Sequence, residues 1–258
     1  MDTYYVTAEN HATSSENRIH SDDIAARLGF RGALVPGVAV FGYMTHPLVE
    51  TFGEDWLTRN VSDVRFLKPA YVDDRLAISV APQGDGLQVN CHNDQGELLA
   101  VMATQMPEVL PPELDATAFA ARETNARRVT IEWDRIELNH PFPVFHWSTD
   151  ARSNDRNAMQ VADTLPHYRT FVHPHWFLGI ANFMLVRQFV MPAWIHVGSN
   201  ITIRRPLLVD RDVDVLAVPL EKWKKKGHEF VRLAIRYQDG DGVLADVLHT
   251  AIYRVAGT

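Results

Sequence analysis

The sequence contains a single cysteine, Cys91, among 258 residues. One thiol excludes a disulfide within the chain, and such scarcity is typical of a reducing compartment, so we expect a cytoplasmic protein. The first ten residues, MDTYYVTAEN, have neither a basic nor an apolar stretch and predict no signal peptide. The longest mainly apolar run, 176–190, is interrupted by Asn182, Arg187 and Gln188, which argues against a membrane span.

Lysine is also scarce, with five in the chain, and the 32 Asp and Glu outnumber the 25 Lys and Arg to give a formal net charge of −7. This balance argues against nucleic acid as a partner. Four of the five lysines lie between residues 222 and 226, at a predicted hairpin tip. Such a tip is usually a solvated face, but Lys224 and Lys225 could instead bind the phosphates of an anionic ligand.

Several catalytic motifs are missing from the sequence. It has no GxSxG elbow, no P-loop and no HExxH. The stretch 240–245 formally fits GxGxxA, but it lies in a predicted hairpin turn, so it predicts no dinucleotide site. His167, His173 and His175 lie close together without a cysteine or a well-spaced acid to complete a tetrahedral set, and we therefore predict no metal site.

The organising stretch of the chain is residues 15–44. With 46% hydrophobic and 22% charged residues, the chain has an ordinary globular composition and can bury a sizeable core. Within this stretch, Pro36-Gly37 leads into the apolar run 38–44, which predicts a buried helix starting there. The first amides of such a helix lack internal partners and carry the positive end of its dipole, which suits a developing oxyanion.

Three short motifs in this part of the chain resemble one known family. Asn17-Arg18-Ile19-His20 is similar to an Asn-Pro-x-His motif, and Pro36-Gly37-Val38 is similar to the His-Gly-Met that follows it. Residues 65–69 with 72–74 resemble the family's later strand. The family is the MaoC-like, or (R)-specific enoyl-CoA hydratase, branch of the hot-dog-fold proteins. The resemblance implies an α+β fold in which an antiparallel sheet wraps around a buried helix.

An internal repeat extends this fold to the whole chain. Pro69-Ala70-Tyr71-Val72-Asp73 matches Pro206-Leu207-Leu208-Val209-Asp210, 137 residues later, and the same offset carries residues 34–37 onto 171–174. Two copies of one unit predict a double hot-dog fold with a continuous sheet. We assign residues 1–107 to an N-terminal unit, 108–127 to a linker, and 128–258 to a C-terminal unit. The apolar helices 38–44 and 176–184 should be almost fully buried.

The resemblance implies roles for the residues near the first helix. His20 would move a proton, Asn17 would orient it, and the backbone N–H of Gly37 would hold an enolate oxygen. Ser15 stands where the family has its catalytic Asp, with Glu16 next to it. Ser15 could position a water and Glu16 could act as the acid, but both could equally be loop residues, and Asn17 and His20 could simply cap a short helix.

The repeat suggests that the two units differ in chemistry. The offset carries Asn17 onto Asn154 and His20 onto Asn157, so the second unit has no ionisable base at this place. We expect the N-terminal unit to be catalytic and the C-terminal unit to shape or bind the substrate. The predicted substrate-binding residues are Val38, Arg18, His173, His175, Asn182, Lys224 and Lys225.

Three functions remain open from the sequence. The first is an acyl-thioester hydratase or dehydratase, acting on a thioester of coenzyme A or of an acyl carrier protein. The second is a hot-dog thioesterase, and the third is a non-catalytic acyl-binding module. No cofactor is implied, because the thioester is the substrate's own handle. We expect a monomeric pseudo-dimer or a homodimer of it, and no association with a membrane.

Overall fold

The computed structural model describes residues 1–13, 15–120 and 128–256. The N-terminal half contains β1 (Tyr4–Thr7), α1 (Asp22–Arg27), α2 (Gly37–Phe52), α3 (Glu54–Thr58), β2 (Asn60–Phe66), β3 (Arg75–Gln83), β4 (Gly86–His92) and β5 (Leu98–Gln105). The C-terminal half contains β6 (Val129–Thr130), β7 (Phe145–Ser148), α4 (Ala151–Gln160), α5 (His175–Gln188), β8 (Phe189–Val190), β9 (Ile195–Ile203), β10 (Asp212–Lys225), β11 (His228–Asp239) and β12 (Gly242–Arg254). None of the described helices is long and apolar enough to cross a bilayer.

One sheet of ten strands runs through both halves, in the order β1-β3-β4-β5-β2-β9-β12-β11-β10-β7. All its strand pairs are antiparallel, and the halves join where β2 pairs with β9 from Asn60 opposite Ile203 to Arg65 opposite Gly198. The strand order reads the same from either edge if each strand is replaced by its counterpart in the other half. The sheet is therefore continuous, with β2 and β9 at its centre.

The 137-residue offset is visible in the backbone as well as in the sequence. The isolated bridge between Leu34 and Tyr71 has its counterpart between Phe171 and Leu208. The turn that follows each bridge contains an aspartate with positive φ. The φ angle is 66° at Asp73 and 54° at the equivalent residue, Asp210. Because bridges and turn dihedrals depend on the local chain, the repeated sequence repeats them in place.

The two long helices fill the concave side of the sheet. In α2, the residues from Ala39 to Thr45 are all buried. In α5 the prediction of near-complete burial is partly wrong, because Phe183 is 39% exposed. Phe183 packs edge-on against Phe145 of β7, with ring centroids 5.1 Å apart. Trp176, at the start of α5, is only partly buried, because it borders a cavity.

The described part of the predicted linker, 108–120, lies against the C-terminal half of the sheet. Arg204 donates to the carbonyls of Pro111 and Pro112, both at 2.9 Å. Phe119 packs with buried residues of β10 and β11. Residues 121–127 of the predicted linker lie outside the described residues.

A matched pair of glycines tests the packing between the halves. Gly42 of α2 and Gly179 of α5 are 137 residues apart, but a Cβ on Gly42 would lie 3.0 Å from Val161, whereas one on Gly179 would meet nothing closer than 3.7 Å. Ala is the better helix former by about 1 kcal/mol, so Gly179→Ala should preserve or raise stability. Gly42→Ala should lower the free energy of unfolding by about 1–3 kcal/mol through overpacking. Urea unfolding of both variants measures the difference, and equal effects would contradict this packing.

Candidate active site

A cavity of about 490 Å³ opens between the two halves. Its N-terminal wall includes the start of α2 and the segment before it. Its C-terminal wall includes one face of α5, where Trp176, Gly179 and Asn182 recur every third residue, and the beginning of β9. Most of the lining is apolar, and the polar side chains on it are Glu9, His11, Ser15, Asn17, His20, Lys68, Asn157, Gln160, His175, Asn182 and His196.

The cavity reaches His20, whose two ring nitrogens have different environments. Nδ1 lies 2.7 Å from the carbonyl of Leu34, which can only accept, so Nδ1 carries the proton and Nε2 has a lone pair. Nδ2 of Asn17 lies 3.2 Å from Nε2 and donates to it. Burial lowers the pKa of His20 from its ordinary 6.5, and the bond to Leu34 only partly opposes this shift. His20 is therefore a neutral imidazole at pH 7, with its basic nitrogen held by an amide.

Asn17 is itself fixed by the other half of the chain. Its Oδ1 accepts from the N–H of Trp194 at 3.1 Å, and its Nδ2 donates to the carbonyl of Trp194 at 2.9 Å. These two bonds to the backbone of Trp194 determine which end of the Asn17 side-chain amide is oxygen and which is nitrogen. The remaining hydrogen of Nδ2 then points to His20. The N-terminal site is thus assembled across the junction between the halves.

The starts of the two long helices differ at the residues that face the cavity. Pro36 precedes α2 with an extended ψ of 134°, and no side chain caps the helix. The first amides, on Gly37 and Val38, therefore lack a partner within the helix and lie on the cavity wall. The residue equivalent to Gly37 is Pro174, which has no N–H. The first amide of α5, on His175, donates to Nδ1 of His173 at 3.3 Å, so of these two helices α2 is the one that leaves its first amide without a partner.

The residues at the place of the family's carboxylate have separate positions. Ser15 lines the cavity, and its Oγ accepts from the N–H of Asn17 at 3.1 Å. Glu16 is not part of the lining and accepts two bonds from the guanidinium of Arg128, at 2.9 and 2.6 Å. Those bonds lower the pKa of the Glu16 carboxyl. Arg18 is exposed, 3.9 Å from Asp23, and does not line the cavity.

The C-terminal helix start contains a buried carboxylate that the sequence analysis missed. Oδ2 of Asp163 accepts from Nε2 of His173 at 3.2 Å and from the hydroxyl of Tyr168 at 2.9 Å. Nδ1 of His46, from α2, lies 3.0 Å from the other oxygen. Burial opposes ionisation of Asp163, but the bonds to the two histidines outweigh it and lower its pKa.

His173 and His175 form a chain that leads from Asp163 to the cavity. With its Nε2–H donated to Asp163, neutral His173 has a bare Nδ1, and Nδ1–H of His175 donates to it at 2.7 Å. His173 is fully buried and does not line the cavity, whereas His175 does. The sequence predicted no ionisable base at Asn154 and Asn157, but ionisable side chains do precede α5 at other positions, Asp163 and His173.

A second buried chain begins at Asn182, on the face of α5 that lines the cavity. Oδ1 of Asn182 lies 3.1 Å from Nε2 of His249, and Nδ1 of His249 lies 3.0 Å from Oγ of Ser199. Ser199 in turn lies 2.9 Å from Nε2 of His196, which lines the cavity. None of these three partners was predicted from the sequence. The available signal was a histidine inside an apolar strand, as at His249 in β12.

The remaining predicted ligands lie elsewhere. Lys224 pairs with Glu229 at 2.9 Å and lies over the ring of Trp133, and neither Lys224 nor Lys225 lines the cavity. The lysine that does line it is Lys68, paired with Glu97 at 2.7 Å. Within the described residues, no group of three or more His, Cys, Asp and Glu side chains is arranged to hold a metal ion.

The buried histidines predict that acid destabilises the fold. Burial lowers the pKa of His249 to about 3, against 6.5 when exposed. Below pH 6.5 the unfolded chain therefore binds a proton that the folded chain does not. The free energy of unfolding consequently decreases as the pH is lowered. From pH 7 to pH 5 this residue alone should cost about 2 kcal/mol. Urea unfolding at pH 7 and pH 5 measures the decrease in the free energy of unfolding between the two. In His249→Gln this decrease should be smaller than in the wild type by that amount, and an equal decrease would contradict the assignment.

Comparisons with known proteins give matches only among solved structures. No protein-family model matches the sequence, and the search of curated proteins gives no match. A Chloroflexus aurantiacus protein described as a candidate MaoC domain dehydratase is 13% identical, covers 98% of this chain and 95% of its own, and gives a TM-score of 0.67. A conserved hypothetical protein from Mycobacterium tuberculosis, described as having a double hotdog fold, is 14% identical over 97% and 95%, with a TM-score of 0.58.

A protein of a different described activity also matches over the full length. A candidate oleoyl thioesterase from Lactobacillus plantarum is 10% identical, covers 100% of this chain and 98% of its own, and has a TM-score of 0.53. Dehydratases and thioesterases thus share this architecture, and identities this low establish the fold alone. The fold predicted from the internal repeat is confirmed: the chain has an α+β double hot-dog fold, in which two tandem units each wrap an antiparallel sheet around a buried helix.

Proposed function

We propose that the protein is an acyl-thioester hydratase or dehydratase of the MaoC-like type. The observation that carries this proposal is that Nε2 of His20 and the uncapped start of α2 at Gly37 share one largely apolar cavity. A base and an oxyanion site are the two elements that proton transfer next to a thioester carbonyl requires. The apolar walls suit the acyl chain.

His20 is the acid–base group in this proposal. His20 is a neutral imidazole with no proton on Nε2. When water replaces the hydrogen bond from Asn17, Nε2 takes a proton from that water as the water oxygen adds to C3 of a 2-enoyl thioester. The same proton then passes to C2, so one water is added across the double bond. In dehydration the steps reverse: Nε2 takes the C2 proton and returns it to the leaving hydroxyl. Asn17 orients the ring through its contact with Nε2.

Gly37 and Val38 hold the charge that develops on the thioester oxygen. As C3 is attacked, electrons move to the carbonyl oxygen, and an enolate forms that needs hydrogen-bond donors. The first amides of α2 supply them without any rearrangement, and the helix dipole adds a positive potential. The reaction proposed here needs no metal or redox cofactor. The carrier of the acyl group is coenzyme A or an acyl carrier protein.

The two units have different roles in the proposal. Residues 1–107 provide the acid–base group and the oxyanion site. Residues 128–258 provide the opposite wall, with His175 and Asn182 facing the substrate. Pro174 and Asn157 at the positions equivalent to Gly37 and His20 support this division, because neither can perform the corresponding role. The active form is the monomeric pseudo-dimer or a homodimer of it.

A thioesterase is the second candidate, and one observation favours it. None of the hydrogen bonds and ion pairs of His20 involves a carboxylate of the described residues, and Ser15 stands at the family's acid. Hydrolysis needs only a base for water and an oxyanion site for the tetrahedral intermediate, which His20 and Gly37 supply. An assay that follows both loss of the 2-enoyl absorbance and release of free thiol separates the two reactions.

Removal of the imidazole tests the acid–base role. His20→Ala should lower kcat/KM for a 2-enoyl thioester by about 10²-fold or more, with little change in Tm. Because the base must be neutral and its pKa is lowered, the wild-type rate should be flat from pH 7 upward and fall only in acid below pH 6.5. His146→Ala, which changes an exposed histidine, is the control. Normal acyl-thioester binding without hydration or hydrolysis in the wild type would favour the binding module.

Restoration of a carboxylate tests which reaction the site performs. Ser15→Asp places an acid on the cavity wall and preserves an acceptor for the N–H of Asn17. If the site catalyses hydration, this change should raise turnover of a 2-enoyl thioester by about tenfold or more, because a second acid–base group becomes available. Ser15→Asn, which has the same shape without the charge, should not do so. A gain in thiol release instead of hydration would favour the thioesterase.

A further inference from the structure

One part of the cavity wall is the counterpart, in the second unit, of the proposed reaction site. The 137-residue offset carries His20 onto Asn157 and Val38 onto His175, and both of these second-unit residues line the cavity. We call the part of the cavity at Asn157 and His175 the distal site. One cavity therefore includes both equivalent positions, and the second is polar although it has no base at residue 157.

The distal site lies well away from Gly37. His175 contacts His173, which pairs with Asp163, and Asp163 lies 3.0 Å from Nδ1 of His46 in α2. His46 follows Gly37 by nine residues of α2, which is a rise of about 13 Å along the helix axis. When the thioester carbonyl is at Gly37, the distal site is therefore left to a remote part of the acyl chain.

Two hydrogen bonds show that Nδ1 of His173 carries no proton. The backbone N–H of His175 can only donate, and its nitrogen lies 3.3 Å from Nδ1 of His173. Nδ1 of the His175 ring lies 2.7 Å from the same atom and must supply the proton of that contact. Burial lowers the pKa of His175 well below 6.5, so its ring is neutral and its other nitrogen, Nε2, is a bare acceptor.

Nε2 of His175 is available to a ligand. His175 is only 7% exposed, and Nε2 makes no hydrogen bond within the described chain. Unlike Nδ1 of His196, which is closed off without a partner, Nε2 of His175 is not among the enclosed polar atoms that lack one. Since it has no partner, it must be accessible from the cavity that His175 lines. An unpaired polar group on a side chain buried to this degree calls for a partner.

The buried carboxylate of Asp163 strengthens this acceptor. Asp163 accepts from Nε2–H of His173, and its pKa is lowered, so it is ionised at neutral pH. A negative charge at one end of a hydrogen-bond chain polarises the whole chain and makes the bare nitrogen at the other end, on His175, a better acceptor. The same charge disfavours a second anion in the distal site.

We propose that the distal site binds a hydroxyl group carried by the acyl chain at a position remote from the thioester. The proposal rests on the acyl-thioester function proposed above and names the substrate class, a hydroxylated acyl chain. The hydroxyl donates its hydrogen to Nε2 of His175. An unsubstituted chain leaves that nitrogen unpaired, and a carboxylate brings no hydrogen and adds a buried charge near Asp163.

Matched ligands test this preference. The probes are 6-hydroxyhexanoyl-CoA, 8-hydroxyoctanoyl-CoA and 10-hydroxydecanoyl-CoA, each against the acyl-CoA of the same length without the hydroxyl, with affinities from calorimetry. At the length that brings the hydroxyl to His175, the wild type should bind the hydroxylated chain about tenfold more tightly, as expected for one hydrogen bond to a buried group. 7-Carboxyheptanoyl-CoA, which ends in a carboxylate, should bind more weakly than octanoyl-CoA.

Replacements of His175 locate the preference. His175→Phe preserves an aromatic ring beside Trp176 and removes the acceptor, so it should abolish the preference and preserve the affinity for the unsubstituted chain. His175→Gln, whose side chain reaches the place of Nε2 and can present an oxygen, should retain a preference. His146→Phe, at an exposed histidine outside the cavity lining, is the control and should bind all probes as the wild type does.

The outcomes distinguish the inference from the function on which it rests. If the wild type binds hydroxylated and unsubstituted chains equally at every length, or if His175→Phe keeps the preference, the role of the distal site is overturned while the acyl-thioester function stands. Tighter binding of 7-carboxyheptanoyl-CoA than of 8-hydroxyoctanoyl-CoA would also overturn it, because His175 would then act as a cation. If the wild type binds no chain of either series, on coenzyme A or on phosphopantetheine alone, the proposed function fails and the inference fails with it.

The protonation state of His175 gives a readout that does not depend on activity. Side-chain ¹⁵N NMR of the ligand-free protein at pH 7, assigned with His175→Phe, should show a neutral ring that carries its proton on Nδ1. The hydroxylated ligand should shift the Nε2 signal, and the unsubstituted ligand of the same length should shift it less. A wild-type ring protonated at Nε2 would overturn the proposal, because that nitrogen would then be a donor.

Discussion

The antiparallel pairing of β2 with β9 is the constraint on which the rest of the structure depends. It joins two five-stranded half-sheets into one surface and thereby brings the two long helices into contact on its concave side. The cavity lies at this junction, and its walls come from both halves. The bonds between Asn17 and Trp194 cross the same junction. A shift of the pairing by one residue would turn every side chain of β9 to the other face and remove His196 from the cavity.

The interior near the junction is rich in buried histidine, and the chemistry of the neutral imidazole explains this. A neutral imidazole combines one donor with one acceptor, so it can link polar groups across a dry region at a far lower desolvation cost than an ion. His173 and His249 have this linking role, each between an acidic or amide oxygen and a further side chain. The buried carboxylate of Asp163 ends one of these chains, and donors from both halves surround it. Each chain ends at a cavity-lining histidine, one at His175 and the other at His196.

The sequence predicted the backbone better than the site. The 137-residue offset was sufficient to predict the second apolar helix and the double hot-dog fold, because turns and helix starts depend on the local sequence. The three residues that the motif singled out, His20, Asn17 and Gly37, line the same cavity. Asp163 and His196 were missed although Tyr168, His173 and Ser199 lie near them in sequence. The links that complete each chain, from Asp163 to His46 and from Ser199 to His249, join distant parts of the sequence and become visible only in the fold. Phe183 lies in an apolar run and was therefore predicted to be buried. It packs against Phe145 of the edge strand β7 and remains partly exposed.

The duplicated unit has a symmetric sheet, but the hydrogen bonds before the two long helices differ. The carbonyl of Leu34, which holds His20, has its counterpart in the carbonyl of Phe171, and there the donor is the amide of Asn154. An amide satisfies the same carbonyl without providing a base. The second helix start therefore has neither a base at the position equivalent to His20 nor an N–H at Pro174, and the face of α5 around Trp176 and Gly179 lines the cavity that His20 and Gly37 also line.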